Sequence, residues 1–165
     1  MIGATSSPNV GVRALVGALS AQESSIALLD VGDNCLGCAG AELLARLVAS
    51  QPRLKQLRAP RNQLTGQWGK QGRGVRALAA AMAESTSLEV LELASNGIGT
   101  RDIGSMYVVS GAQPSSPVVF LVEALRLNRS LTSLGLSANR LLGEQAERLK
   151  EAWATRSAPA NGLRL

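Results

Sequence analysis

The sequence of 165 residues contains no histidine, so the commonest general base and the commonest nitrogen ligand of metal ions are both missing. Aromatic side chains make up only 2% of the chain. A hydrophobic core must therefore be built from leucine, valine, alanine and isoleucine. The same shortage argues against binding of single-stranded nucleic acid, which uses aromatic side chains as stacking platforms for the bases.

Cysteine is also scarce, because Cys35 and Cys38 are the only two in the chain. They are too few for a disulfide scaffold, and a single CxxC pair cannot supply the four ligands of a structural zinc site. A thioredoxin-type context for a redox pair is missing as well. We expect Cys35 to be a small buried residue. No metal, cofactor or catalytic residue is predicted, and the chain is not expected to be an enzyme.

Long apolar runs and targeting signals are absent from the sequence. No run reaches the length of a membrane span, and the opening residues MIGATSSPNVG lack the positive region of a signal peptide. The net charge is +5, and the basic residues are scattered apart from a loose cluster between Arg53 and Arg61. Scattered charge favours a solvated surface over a nucleic-acid footprint. We therefore expect an intracellular, cytoplasmic protein that binds neither membranes nor nucleic acids.

What the chain does contain is a repeat of one short pattern. The four copies are IALLDVGDNCLG from Ile26, LKQLRAPRNQLT from Leu54, LEVLELASNGIG from Leu88 and LTSLGLSANRLL from Leu131. Each copy has apolar residues at relative positions 1, 4, 6 and 11 and an asparagine at position 9. This is the pattern of a leucine-rich repeat, in which positions 4 and 6 point inward from a short strand.

The repeated asparagine has a physical reason. The chain must turn sharply after each strand, which leaves backbone N–H and C=O groups without partners, and an amide side chain can both donate to and accept from them. Four asparagines in register therefore predict a structural ladder rather than a catalytic residue. They are Asn34, Asn62, Asn96 and Asn139.

Helical patterns lie between the strand segments, with apolar residues at spacings of three and four. They cover residues 11–22, 40–50, 74–85, 117–128 and 143–154. The predicted unit is strand, turn, helix, turn, and the strands of successive units are expected to lie parallel. We predict a single leucine-rich repeat domain over residues 1–165, with a partial fifth strand near residue 162.

Two stretches resemble the ribonuclease-inhibitor class of leucine-rich repeats. They are DNCLGCAGAELLARL at residues 33–47 and SLTSLGLSANRLLGEQAERLKEAW at residues 130–153. The resemblance covers nearly the whole chain. It implies an α/β solenoid in the form of a right-handed horseshoe arc, with strands on the concave side and helices on the convex side. The class includes ribonuclease inhibitor, the sensing regions of nucleotide-binding leucine-rich receptors, and a GTPase-activating protein.

Two of the repeats carry insertions. Successive repeats start 28, 34 and 43 residues apart, and the extra residues fall at 65–73 and 100–117. Because insertions in such repeats map to loops on one face, Trp68 and Tyr107 would project from the same rim as a contact patch. The alternative is that these loops fold back on the repeats or have no fixed structure.

Charged residues follow the strands in register on the predicted concave face. Asp30, Arg58 and Glu92 share position 5, where they would form a ladder of alternating charge, and Asp33 and Arg61 share position 8. Such a strip would bind a polar partner, or it would only fix the register of the strands.

These features favour a non-catalytic scaffold that binds another protein through the concave face and the insertion-bearing rim. The alternative is a GTPase-activating regulator of a small GTPase, for which Arg58, Arg61 and Arg101 are the candidate arginines. The ends of the chain show no obvious capping repeat. Either the first and last helices cap the array by themselves, or the ends are open to self-association or to further repeats.

Overall fold

The structure is a computed structural model that describes residues 10–20, 25–66, 72–99, 116–156 and 160–165. Within these residues five α-helices alternate with five short β-strands. The helices are α1 (Val10–Ser20), α2 (Gly37–Ser50), α3 (Arg73–Glu84), α4 (Val118–Leu127) and α5 (Gly143–Ala154). The strands are β1 (Leu28–Asp30), β2 (Gln56–Arg58), β3 (Val90–Glu92), β4 (Ser133–Gly135) and β5 (Leu163–Arg164), and a 3-10 helix at Ala160–Gly162 precedes β5.

The five strands form one parallel sheet in the order β1-β2-β3-β4-β5. Adjacent strands pair through their central leucines, which are Leu29, Leu57, Leu91, Leu134 and Leu163. Parallel neighbours need a crossover connection, and each helix from α2 to α5 provides one between consecutive strands. The expected α/β class with a parallel sheet is therefore confirmed.

The core lies between the sheet and the helices. The central leucines of β1 to β4 are buried, and so are the residues two positions further along each strand, Val31, Ala59, Leu93 and Leu136. Each helix packs against the next one in the chain, from α1 on α2 to α4 on α5. Since strand side chains alternate between faces, the residues between the buried positions point away from the helices.

Helix α3 shows how the sequence sets one unit. Its buried residues Val75, Leu78, Ala79 and Met82 recur at spacings of three and four, so that one face meets the core. The helix ends at Glu84, and the next residue, Ser85, has an extended backbone and an Oγ that accepts hydrogen bonds from the N–H groups of Ser87 and Leu88. This cap turns the chain directly into the next strand segment.

The two cysteines differ in their surroundings. Cys35 is exposed and has a positive φ of 49°, so the expectation that it is buried was wrong. Cys38 is the buried cysteine, and its Sγ accepts from the backbone N–H of Gly74 at 3.1 Å and from Nε of Arg73 at 3.3 Å. Cys38 therefore joins the start of α2 to the start of α3.

None of the helices in the described ranges combines the length and apolar character needed to cross a bilayer. Most of the two predicted insertions, including Trp68 and Tyr107, falls outside the described residues.

Candidate functional site

The sharp turn after each strand has the same backbone conformation in four units. The residues just before and just after the repeated asparagine have positive φ angles, namely Asp33 and Cys35, Arg61 and Gln63, Ser95 and Gly97, and Ala138 and Arg140. Most are not glycine, although positive φ is uncommon for other residues. In three of these turns the backbone N–H groups of the asparagine and of the residue two positions later point to one place, where a single oxygen accepts from both.

The asparagine of the following repeat supplies that oxygen. Asn96 Oδ1 accepts from the backbone N–H of Asn62 at 2.8 Å and from that of Leu64 at 3.4 Å. Its Nδ2 donates to the carbonyls of Ala59 and Leu93 at 2.8 and 2.9 Å. Asn62 and Asn139 make the equivalent bonds, and all three are at most 1% exposed. These side chains are fully engaged in joining one unit to the next.

Asn34 occupies the first position of this row and is exposed. Its Nδ2 donates to the carbonyls of Val31 and Gly32 in its own turn, and its backbone N–H donates to Asn62. Asn34 therefore shapes its own turn but joins no preceding unit within the described residues.

The outward face of the sheet carries the exposed side chains. We call it the sheet face and define it by the outward residues of the strands, which are Leu28, Asp30, Gln56, Arg58, Val90, Glu92, Ser133, Gly135 and Arg164. Leu28 is 47% exposed, and Asp30, Arg58 and Arg164 are exposed as well. The buried strand residues share one core with residues of the α-helices, so the α-helices pack on the opposite side of the sheet.

The charges on the sheet face pair differently from the predicted ladder. Asp30, Arg58 and Glu92 lie in register on β1, β2 and β3, but no ion pair joins them. Asp30 Oδ1 instead accepts from the N–H of Gly32 at 3.0 Å, and Arg58 Nη2 donates to Gln56 Oε1 at 3.2 Å. The register was predicted correctly, whereas the Asp30 and Arg58 side chains bond to residues two positions away in the chain.

Glu92 pairs across an intervening strand. Its Oε2 lies 2.9 Å from Nη2 of Arg164 on β5, although β4 separates the two strands. The β4 residue between them is Gly135, and a Cβ at that position would collide with the Glu92 carboxylate. Arg164 also donates to Ser133 Oγ at 3.0 Å. A missing side chain on β4 thus lets an ion pair lie over this half of the sheet face.

The turns beside the sheet hold a second ion pair. Arg61 donates from Nε and Nη2 to the two carboxylate oxygens of Asp33, at 2.5 Å each. The Arg61 hydrogen bond holds the pKa of Asp33 below its usual range, and Asp33 raises the pKa of Arg61. Both side chains are about 60% exposed, so the pair fixes the relative position of two turns more than it stabilises the fold. Lys55 and Glu89 form a comparable exposed pair at 2.7 Å.

A second row of polar side chains, at the other end of the helices, was missed in the sequence. Gln51 Nε2 donates to the carbonyl of Leu19 at 2.8 Å, and Asn128 Nδ2 donates to those of Met82 and Ser85 at 2.7 and 3.0 Å. Both donors are buried, and each reaches the C-terminal end of an earlier helix. The signal was a polar residue three positions before a repeat start, which Gln51 and Asn128 share with Ser85.

Arg156 ends this row. It is 9% exposed and donates to the carbonyls of Leu125 and Leu131 and to Oδ1 of Asn128. Its guanidinium also lies over the ring of Trp153, 4.9 Å from the centroid. Burial lowers the pKa of Arg156, and the nearby charge of Arg129 lowers it further. Its three oxygen acceptors hold α5 against the end of α4.

Within the described residues, no group of three or more histidine, cysteine, aspartate or glutamate side chains is placed to hold a metal ion. The predicted site residues Asp30, Asp33, Arg58, Arg61 and Glu92 lie on the sheet face or in the turns beside it. Trp68 and Tyr107 lie outside the described residues, so their predicted role on the rim stays a prediction.

The fold is an α/β arrangement of repeated strand–helix units, and comparisons with known proteins agree with this class. No protein-family profile matches the chain, and no curated protein sequence matches it. Of 18 matching chains in solved structures, two illustrate the likeness. One is titled leiomodin-1 actin-binding site 2, at 14% identity and a TM-score of 0.58, covering 90% of this chain and 75% of that one. The other is a tropomodulin C-terminal domain from Caenorhabditis elegans, at 16% identity and a TM-score of 0.54, covering 87% and 73%.

These comparisons correct the expected family. The resemblance to the ribonuclease-inhibitor class was wrong, because the matching structures are leiomodin and tropomodulin domains and no family profile supports that class. The spacing of leucines and asparagines specifies a strand, a turn and a buried amide. Any fold that stacks such units meets the same requirements, so the pattern does not distinguish one class from another.

Proposed function

We propose that the chain is a non-catalytic protein-binding domain that binds its partner through the sheet face. The observation that carries this proposal is that the buried and the exposed polar residues have different roles. The buried asparagines are engaged in joining the units, whereas Asp30, Arg58 and Arg164 are exposed on the side of the sheet that faces away from the buried core. A rigid, solvent-facing sheet with regularly spaced side chains suits recognition of a protein surface.

The finer architecture is part of the same proposal. Stacked strand–helix units have a wide helical side and a narrow strand side, so we infer a right-handed solenoid arc with the strands on its concave side. Residues 1–165 would form one such domain. A partner seated in the arc would contact several units at once, and the predicted rim around Trp68 and Tyr107 would extend the contact.

Actin is the first defined partner to test, because the matching leiomodin-1 structure is titled an actin-binding site. At 14% identity this likeness shows the fold alone, so the choice is a starting point for the measurement. Binding of the fluorescently labelled chain to actin would be measured by titration. Saturable binding that Arg58→Glu weakens would support the proposal with actin as partner.

A selection of random peptides displayed on phage tests the proposal without assuming a partner. Enriched peptides would be measured against Arg58→Glu and Arg164→Glu on the sheet face and against Arg126→Glu on α4, an exposed helix position with the same charge change. Loss of binding in either sheet-face variant, with Arg126→Glu unaffected, is the expected result. Failure to enrich any peptide, or enriched peptides that respond only to Arg126→Glu, would contradict a binding role for the sheet face.

No described residue favours the alternative of a GTPase-activating protein. Arg61 is held by both carboxylate oxygens of Asp33, Arg58 lies against Gln56, and Arg101 falls outside the described residues. Stimulated GTP hydrolysis that is lost in Arg61→Ala would reverse this judgement.

A further inference from the structure

The two ends of the sheet face differ in their charged groups. An ion pair lies over β3 to β5, whereas no ion pair joins the charged side chains of β1 and β2. Over β3, β4 and β5, the Glu92–Arg164 ion pair spans Gly135, and Arg164 also bonds to Ser133. Both charged groups at this end already have a charged or polar partner. A binding partner that used them would first have to break contacts within the chain.

The opposite end offers groups with weaker internal partners. Arg58 has an amide oxygen as its partner at 3.2 Å and no carboxylate within the described residues. Guanidinium groups bind carboxylates most strongly, through paired N–H donors, so an amide oxygen leaves most of this capacity unused. Arg58 is also exposed and lies on the outward face of β2.

An exposed apolar side chain lies close to Arg58. Leu28 faces outward from β1 with 47% of its surface exposed. It pairs in register with Gln56, the residue that holds Arg58, and Asp30 pairs in register with Arg58 itself. Leu28, Asp30, Gln56 and Arg58 therefore form a patch about one strand spacing wide, which contains an apolar side chain, a cation and an anion.

We infer that the partner binds over β1 and β2 with a segment that places a carboxylate on Arg58 and an apolar side chain on Leu28. This deepens the proposed function and rests on it. The positive charge of Arg58 favours an acidic residue in the partner, and the exposed Leu28 favours an apolar residue next to it. The carboxylate would replace Gln56 as the partner of Arg58, while Asp30, opposite in register, disfavours a second acidic residue at the edge of the patch.

The test uses peptides enriched from the displayed random library on the wild-type chain. We expect them to share an aspartate or glutamate next to an aliphatic or aromatic residue. Their affinity should fall about tenfold or more in Arg58→Glu, where attraction becomes repulsion, and also in Leu28→Ser. Arg126→Glu and Arg164→Glu should bind as the wild type does. Circular dichroism and thermal unfolding would show that each variant is folded.

The other outcomes separate the two proposals. Enriched peptides without an acidic preference, or peptides that bind Arg58→Glu as tightly as the wild type, would overturn the inference. Peptides lost only in Arg164→Glu would place the partner over β3 to β5, which overturns the inference but keeps the sheet face as the binding surface. No enrichment at all would count against the proposed function together with the inference.

Discussion

At the scale of single residues, burial decides which asparagine matters most. Asn96 is 1% exposed, and its side chain bonds to backbone groups of its own unit and of the preceding one. We expect Asn96→Ala to lower the free energy of unfolding by roughly 2 to 4 kcal/mol, because several buried backbone groups would lose partners. Urea denaturation would measure the loss.

Asn34 provides the matched control for this substitution. It occupies the same place in its unit but is exposed, so water can replace the bonds that its side chain makes. Asn34→Ala should cost less than about 1 kcal/mol. If both variants lose the same free energy of unfolding, burial is not what makes the asparagines stabilising.

The sequence predicts the environment of some of these residues and not of others. Asn62, Asn96 and Asn139 were placed by their register with the strands, because only a buried amide suits that turn. Cys35 was misplaced, because its positive φ turns the side chain outward and single letters do not show backbone angles. The predicted pairing of Arg58 with its neighbours failed for a similar reason, since a long exposed side chain takes the nearest acceptor.

The Asp33–Arg61 pair predicts a small pH effect in acid. The pKa of Asp33 is lowered in the folded chain, chiefly by its hydrogen bond with Arg61. Its contribution is therefore fully present above the unfolded aspartate pKa of about 3.9 and is lost as pH falls through the lower folded pKa. Asp33→Asn should reduce stability slightly near neutral pH and flatten its dependence on pH below about 4.

Thermal unfolding of both chains across this pH range would check the effect. Asp30→Asn is the control, because the Asp30 side chain accepts from a backbone N–H rather than from an arginine. An unchanged acid profile in Asp33→Asn would show that the pair contributes nothing to the folded state.

At the scale of elements, glycines set how closely neighbouring units approach. A Cβ on Gly74, at the start of α3, would lie 2.6 Å from the carbonyl oxygen of Cys38 and 2.7 Å from Cβ of Ala41 in α2. Both atoms are buried and belong to a packed helix pair. Gly74→Ala should therefore cost about 1 to 3 kcal/mol through overpacking, even though alanine favours a helix by up to about 1 kcal/mol.

Gly135→Ala separates a backbone clash from a side-chain clash. The three atoms nearest to its added Cβ all belong to the carboxylate of Glu92, which is the far end of a flexible side chain. We expect the Glu92–Arg164 pair, whose side chains are 22% and 50% exposed, to move apart at a cost of about 1 kcal/mol. Chemical denaturation of both variants would test the difference. A larger loss in Gly135→Ala than in Gly74→Ala would contradict the proposed origin of the α2–α3 spacing.

The positions of the helices were easier to predict from the sequence than the contacts at their ends. All five helices begin or end within a few residues of the ranges expected from apolar spacing, because that spacing is what allows a helix to bury one face. The contacts of Gln51, Asn128 and Arg156 at the helix ends were not predicted. They depend on which earlier carbonyl lies within reach, and only the packed arrangement of helices determines that.

At the scale of the whole molecule, the two terminal helices differ in character. Helix α5 carries five charged residues, Glu144, Glu147, Arg148, Lys150 and Glu151, of which all are exposed. Helix α1 carries only Arg13, and its Val10 and Leu15 are 61% and 36% exposed. A polar outer face is what a capping unit needs. The surface of α5 is therefore more polar than that of α1, and self-association through the ends of the array stays a prediction.

The same asymmetry predicts how stability is distributed along the chain. Among the described residues, helix α1 packs mainly on α2 and has Val16 as its buried side chain, whereas α3 packs between α2 and α4. Stability in stacked units depends mainly on nearest neighbours, so opening should begin at α1. Hydrogen exchange measured by mass spectrometry should show fast exchange in α1 and the strongest protection in α2, α3 and the strand between them, β2.

Two core substitutions distinguish this behaviour from uniform, all-or-none unfolding. Val16→Ala should cost about 1 kcal/mol and speed exchange in α1 while leaving β3 and β4 protected as before. Leu78→Ala, in the middle of α3, should cost about 2 to 5 kcal/mol and speed exchange in the units on both sides, because α2 and α4 lose a shared neighbour. If Val16→Ala speeds exchange equally in every unit, the described part of the chain unfolds as one cooperative body, and its units do not open separately.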